Sequence, residues 1–192
     1  EAIKMAPLYH GLKALPGNFD TLLCVTAQHR QMLDQVLRVF EIRPDIDLDL
    51  MTAEQDLFDV TAAVLLGMRD VLRTHKPDAL LVHGDTSTTL AAAMAGFYLG
   101  VPVGHVEAGL RTHNLQAPFP EELNRQVASK VAQWHFAPTD FSRQNLLAER
   151  VPKASITVTG NTVIDALFWV LSRIDAHAQR RDAIQAFLNE QL

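Results

Sequence analysis

Ala79-Leu80-Leu81-Val82-His83-Gly84-Asp85 and Val101-Pro102-Val103-Gly104-His105-Val106-Glu107 decide how this sequence folds. Each is a short apolar run that closes on an acid. Turn chemistry precedes each one, Pro77-Asp78 in the first case and Gly100 in the second. Residues 88–99 lie between them, rich in alanine and apolar nearly all round, which is the pattern of a helix buried against a sheet. Strands that read as continuous apolar runs, rather than alternating ones, are covered on both sides. Strand, helix, strand at this spacing therefore predicts a parallel sheet with helices on both faces.

Outward from there, the same two periods alternate. β-rich runs occupy residues 21–25, 134–137 and 156–158. Residues 31–40 place Met32, Leu33, Val36, Leu37 and Phe40 on one helical face, and residues 56–72 repeat the pattern. Residues 123–131 and 141–150 read as two more helices, with Pro120 where a first turn would begin. Thr159-Gly160-Asn161-Thr162 opens another that reaches about His177, and the amphipathic tail 180–192 reads as a linker helix. The chain begins inside a helix, on Glu1-Ala2-Ile3-Lys4, and without methionine, which reads as truncation. An open parallel sheet binds ligands at the carboxyl ends of its strands, so chemistry is expected there.

Composition narrows the classes. The 192 residues are 48% hydrophobic and 20% charged, ample for one core. Net charge is −5 and the acids are spread along the chain, with no basic stripe or aromatic platform for nucleic acid. The single cysteine, Cys24, excludes an internal disulfide and fits a reducing compartment, the cytoplasm. The longest apolar stretch, residues 90–103, carries Gly96, Gly100 and Pro102 and falls short of the roughly 20 residues that a membrane-spanning helix needs. The first residues lack the charged-then-apolar layout of a signal peptide.

The acids at the strand ends are the first chemical signal. Val82-His83-Gly84-Asp85 leads into Thr86-Ser87-Thr88-Thr89, and Gly104-His105-Val106-Glu107 into Ala108-Gly109-Leu110-Arg111. Both put a histidine two residues before the acid, on the same face of the strand. Consecutive strands are usually neighbours, so Asp85 and Glu107 are expected to face one crevice. A third acid, Glu121, follows Pro118-Phe119-Pro120 at a helix start, beside Glu122 and one turn before Arg125. Singly, each acid has an ordinary structural explanation. Asp85 would help cap the helix opened by the threonines, and Glu121 and Glu122 would suit a positive helix end. Two acids at neighbouring strand ends weaken that explanation, because isolated carboxylates rarely sit in crevices without a role. His83 and His105 read as packed or supporting groups rather than bases. A metal bound by both His-x-acid pairs is disfavoured, since alternate strand residues lie about 6.6 Å apart and one ion would not reach all four groups. No metal ligand is assigned.

Six segments together resemble the non-hydrolysing UDP-N-acetylglucosamine 2-epimerases. They are Glu1-Ala2-Ile3-Lys4-Met5-Ala6-Pro7, Thr26-Ala27-Gln28-His29-Arg30, His83-Gly84-Asp85-Thr86, His105-Val106-Glu107-Ala108-Gly109-Leu110-Arg111, Pro120-Glu121-Glu122 with Asn124-Arg125, and Thr159-Gly160-Asn161-Thr162-Val163-Ile164-Asp165. The resemblance runs from residue 1 to about residue 170. It implies an α/β, Rossmann-like sheet forming the N-terminal half of a GT-B-type two-domain fold. Residues 1–170 would be that domain, lacking its first strand, and residues 171–192 a helical linker toward an absent C-terminal domain. It implies reversible conversion of UDP-GlcNAc to UDP-ManNAc, with Asp85, Glu107 and Glu121 as catalytic carboxylates. Lys4, Arg125 and Asn161 would bind substrate, and Gln28 and Gln31 are candidates for an allosteric site that takes a second UDP-GlcNAc. No cofactor is implied, and the expected assembly is a homodimer.

The physics suits such a task. A C2 proton with no carbonyl beside it is weakly acidic, so elimination needs a positioned base as the bond to UDP breaks. The resemblance also implies missing parts: a first strand with its Gly-Thr-Arg-Pro turn, and a second domain holding most UDP contacts and a required histidine. The chain alone is therefore expected to be inactive and to expose two strand edges. The alternatives are half of a GT-B glycosyltransferase or of a hydrolysing epimerase, or a non-catalytic binding or assembly fragment.

Overall fold

The computed structural model describes residues 1–27, 30–52 and 54–191. In chain order it has α1 (Ala2–Lys13), β1 (Cys24–Val25), α2 (Arg30–Val39), β2 (Ile46–Asp47), α3 (Leu57–His75), β3 (Leu80–His83), α4 (Ser87–Tyr98), β4 (Val103–Val106), α5 (Glu121–Val131), β5 (Trp134–Ala137), α6 (Asp140–Ala148), β6 (Ile156–Val158), α7 (Val163–Asp175) and α8 (Ala178–Gln191). Packing divides it into two units. The first comprises Glu1, Leu22–Gln31 and Pro44–Asn161; the second comprises Ala2–Thr21, Met32–Arg43 and Thr162–Leu192.

The first unit contains parallel sheets flanked by helices, as the alternating periods predict. Strands β3, β4, β5 and β6 pair in that order, all parallel. Leu80, Val82, Val103, His105, His135 and Ile156 share one face through this register. Helices α3 and α4 close over part of that face, because their buried residues form one cluster with it. Val60, Val64, Met68 and Leu72 of α3 recur every four residues and pack with Ala91, Ala92, Ala93 and Ala95 of α4, Val82 and Val103. Each large apolar side chain buried there stabilises the unit by about 1.5–3 kcal/mol. The alanines of α4 permit close approach to the sheet, and at Gly96 even a Cβ would lie 2.7 Å from the Val103 side chain. Helix α3 starts on a capping box, in which Asp56 accepts from the Phe58 and Asp59 amides while Asp59 accepts from the Asp56 amide. A second cluster, Ala108, Ala137, Leu146, Val151 and Ile156, seats α6.

The parallel strands do not merge into one sheet. Strands β1 and β2 form a separate parallel pair, with Cys24 opposite Ile46 and Val25 opposite Asp47. No strand among the described residues bridges β1 and β3, so β3 is an edge. Arg30 clasps Asp47 and Asp49 at 2.6–2.9 Å. Burial pushes the Cys24 thiol up to about 11, which leaves it unreactive at neutral pH.

The second unit is helical. Ala6 of α1, Phe40 and Ala166 of α7 are its buried apolar centre, with Trp169 and Val170 against them. His10 hydrogen-bonds the Phe40 carbonyl at 2.8 Å and stacks on Trp169 at 5.3 Å. The helix read from residue 159 forms only from Val163, after Gly160 takes a left-handed φ of 82°. No helix among the described residues is long and apolar enough to cross a membrane.

Candidate active site at the strand ends

The end of β3 turns on Gly84, whose φ of 70° suits glycine. Asp85 follows, half-buried. Behind it Thr86 caps α4 by accepting from the Thr89 amide at 3.3 Å, and the Thr89 hydroxyl donates to the His83 carbonyl at 2.5 Å. Arg125 Nη2 stands 3.1 Å from Asp85 Oδ2. Asn124 Nδ2 donates to the Asp85 carbonyl at 2.9 Å. Main chain and side chain of Asp85 are thus both held from α5.

The end of β4 differs. Glu107 itself adopts a left-handed φ of 65°, a conformation that costs a non-glycine residue about 1–2 kcal/mol. Its carboxylate accepts from Asn161 Nδ2 at 3.2 Å, and the other oxygen lies 4.0 Å from His83 Nε2. The His83 and Glu107 side chains are 5% and 12% exposed. Two residues on, Gly109 has a φ of 90°, and a Cβ there would run into the Ser142 carbonyl.

Helix α5 supplies the third acid. Glu121 sits in its first turn behind Pro120, and its Oε2 is buried with no hydrogen-bond partner among the described residues. A buried carboxylate oxygen left unmatched costs free energy and points to something that completes it. Glu122 beside it is fully buried. Burial pushes its carboxyl up, but hydrogen bonds from Gln126 and the Thr112 and His113 amides, with the charge of Arg125, outweigh that and hold it below its usual range.

The neighbouring of β3 and β4 expected from sequence holds, and their ends bring Asp85 and Glu107 to one rim of the sheet. The equivalence of the two histidines does not. Register pairs His83 with Val106 and Val82 with His105, so the histidines point to opposite faces. His83 looks toward Glu107, whereas His105 donates through Nε2 to the Gly84 carbonyl at 2.7 Å. That bond fixes Nδ1 as the unprotonated nitrogen, and it has no partner among the described residues. Full burial pushes the His105 pKa down to about 4, so it is a neutral strut under the β3 turn.

The remaining sequence-read residues fall in several places. Asn161 joins Glu107 in the first unit. Lys4 lies half-buried in the first turn of α1, in the second unit. Gln31 is exposed near the start of α2, and Gln28 lies outside the described residues. Asn124 and the Glu122–Arg125 pair (3.5 Å) support Asp85 from α5, and the i, i+3 spacing of the pair is the only signal of this in the sequence. A cavity of about 430 Å³ lies between the C-terminal ends of α5 and α6, lined by Lys130, Gln133, Glu149 and Arg150 among others. Its acid Glu149 is already paired with Arg111 at 2.6 and 3.0 Å. Among the described residues no group of three or more His, Cys, Asp or Glu side chains is arranged to hold a metal ion.

The fold is thus an α/β one, with Asp85 and Glu107 at the carboxyl ends of two adjacent parallel strands and Glu121 in the first turn of the helix that reaches Asp85. The family described as UDP-N-acetylglucosamine 2-epimerase matches residues 12–192, and the chain belongs to that family of isomerases. It is 62% identical over 174 residues to the UDP-N-acetylglucosamine 2-epimerase of Yersinia pestis, covering 91% of this chain and 46% of that protein. It is 55% identical over 191 residues to that of Salmonella typhimurium, covering 100% of this chain and 50% of the relative. Among solved structures, the Neisseria meningitidis UDP-GlcNAc 2-epimerase bound to UDP-GlcNAc superimposes with a TM-score of 0.91 at 51% identity, over 97% of this chain and 51% of that one. The Methanocaldococcus jannaschii enzyme in complex with UDP-GlcNAc and UDP gives a TM-score of 0.87 at 31% identity, over 99% of this chain and 51% of that one. The chain spans about half the length of these relatives, and over that half it has their fold, the Rossmann-like half expected of a GT-B arrangement.

Proposed function

We propose that this chain is the sugar-handling part of an enzyme that interconverts UDP-GlcNAc and UDP-ManNAc. Asp85, Glu107 and Glu121 are the carboxylates that move protons at C2. One takes the C2 proton as the C1–O bond to UDP breaks, leaving 2-acetamidoglucal and UDP. A proton then returns to C2 on the opposite face while UDP adds back at C1, so atoms and charge balance. Inversion needs proton traffic on both faces, which a single acid would not supply. Lys4, Arg125 and Asn161 hold the substrate; a guanidinium has five donors, and Nη2 on Asp85 leaves Nη1 for a sugar oxygen. Gln28 and Gln31 belong to a regulatory site for a second UDP-GlcNAc. Residues 1–170 belong to the N-terminal Rossmann-like domain and residues 171–192 to the helical linker toward a C-terminal domain, in a cytoplasmic homodimer that uses neither metal nor redox cofactor.

The observation that supports this reading most is the pairing of β3 with β4, which delivers Asp85 and Glu107 to one rim of the sheet. The test is to incubate the intact enzyme with UDP-GlcNAc in heavy water. Deuterium is expected at C2 of the UDP-ManNAc formed, and full retention of hydrogen there ends the proposal. Accumulation of free ManNAc with UDP would assign hydrolysis instead.

A further inference from the structure

Glu122 occupies a place that the proposed chemistry does not use. It is fully buried, which is rare for a carboxylate. Its Oε1 accepts from the His113 amide at 3.1 Å and from Gln126 Nε2 at 2.8 Å; its Oε2 accepts from the Thr112 amide at 3.1 Å and faces Arg125 Nε at 3.5 Å. Thr112 and His113 belong to the segment that continues from Glu107, so Glu122 ties that segment to α5. Arg125, with its side chain 10% exposed, also donates from Nε to the Glu121 carbonyl at 3.3 Å and meets Asp85 through Nη2. A mostly buried row of alternating charge, Glu122, Arg125, Asp85, therefore runs from the helix to the strand end.

We infer that Glu122 and Arg125 are a positioning pair: Glu122 anchors the guanidinium, and the guanidinium fixes the aim and proton affinity of the Asp85 carboxylate. The inference rests on the reading of Asp85 as a catalytic carboxylate. A cation beside Asp85 favours its charged form and weakens it as a base, while a second anion sharing that cation restores part of its basicity. The two members of the pair therefore push Asp85 in opposite directions. The other titratable groups near this rim are Glu121 on α5, His83 and His105 on the strands, Glu107 after β4, and Glu1, whose carboxylate approaches Gly84. None of these changes when Glu122 or Arg125 is replaced.

The experiment uses the intact enzyme, labelled with ¹³C at its carboxyl groups, with the Asp85 resonance assigned from an Asp85→Asn variant. Glu122→Gln is expected to lower the Asp85 titration midpoint and Arg125→Gln to raise it, each by about half a pH unit or more. Glu122→Asp, which keeps the charge, is expected to stay near the wild-type midpoint. The acid limb of the kcat profile should move with the same signs. A role limited to holding the fold would give variants that melt earlier without opposite shifts. Midpoints that move together, or do not move, overturn the inference. Should Glu122→Gln fail to fold, Arg125→Gln alone decides, and an unmoved midpoint is again fatal. The midpoint is read without turnover, so it stands apart from the epimerase reading, which fails on its own if the wild type exchanges no hydrogen at C2.

Discussion

Two turns that look alike in the sequence, His83-Gly84-Asp85 and His105-Val106-Glu107, are built one residue out of step. The Gly84 amide donates to the Val106 carbonyl, and His83 lies level with Val106, so Gly84 and Glu107 occupy equivalent places just past their strands. Both are left-handed, with φ of 70° and 65°. In the first turn a glycine takes the special conformation and the acid comes next, held by Asn124 and Arg125. In the second the acid takes it directly, and its carboxylate lands between Asn161 and His83. The lesson is that equal spacing of histidine and acid does not make equal sites. Register decides which face each histidine joins, and the turn decides where each carboxylate points.

Removing the acids is expected to have the largest effect at either turn. Asp85→Asn and Glu107→Gln in the intact enzyme are each expected to lower kcat by on the order of 10²-fold or more, the scale for a lost general acid or base. Steady-state kinetics that found less than about a threefold loss for one of them would strike that residue from the chemistry and leave its turn a structural feature. Behind the second turn, Gly109→Ala is expected to destabilise the protein by roughly 3 kcal/mol. It combines a left-handed φ of 90° with a collision against the Ser142 backbone, which no side-chain rotation relieves. Denaturant unfolding measures it, and a cost below about 1 kcal/mol would mean that the loop after Glu107 repacks freely.

Local pattern carried most of the fold. The strands at 134–137 and 156–158 form where read, because apolar runs bounded by turn residues leave little choice. The run at 21–25 narrows to Cys24–Val25, since a two-stranded pair leaves its ends without a ladder. Strand β2 went unread although residues 45–50 alternate Asp45, Ile46, Asp47, Leu48, Asp49, Leu50, a period-2 signal diluted by acids. At the rim, the acids and their shared edge were legible from strand order. The offset between the two histidines was not, because inter-strand register depends on long-range packing that no single segment encodes. The coupling of Glu122 and Arg125 to Asp85 is hidden for the same reason: it joins Asp85 to residues of α5 that lie far along the chain.

His105 is buried and neutral, with its pKa lowered to about 4 from an ordinary value of 6.5. Above pH 6.5 it is neutral in both folded and unfolded chains and contributes nothing to the pH dependence. As pH falls from 6.5 toward about 4 the unfolded chain takes up a proton that the folded one refuses, so stability falls with decreasing pH. Below that window both forms are protonated and the loss levels off. One such group adds a slope of up to about 1.4 kcal/mol per pH unit, on the order of 2–3 kcal/mol across the window. Urea unfolding of His105→Gln between pH 4 and 7 should show a shallower acid slope than wild type, whatever its absolute stability. An unchanged slope would remove His105 from the acid sensitivity of the β3 turn.

The smallest effect tests the equivalence of the two turns most directly. At Gly84 an added Cβ would lie 3.5 Å from Glu1 Oε1 and 4.0 Å from Glu107 Oε1, ordinary contacts that push nothing aside. Gly84→Ala should therefore cost only the backbone strain that Glu107 already bears, about 1–2 kcal/mol. Denaturant unfolding at neutral pH reads this directly. A cost near that value means that the chain tolerates a left-handed side-chain-bearing residue equally at both strand ends, and that glycine at position 84 serves conformation alone. A cost above about 3 kcal/mol would mean that the β3 turn is held more tightly than the β4 turn. The Asp85 carbonyl held by Asn124, and the Gly84 carbonyl held by His105, are the contacts that would have to give way first.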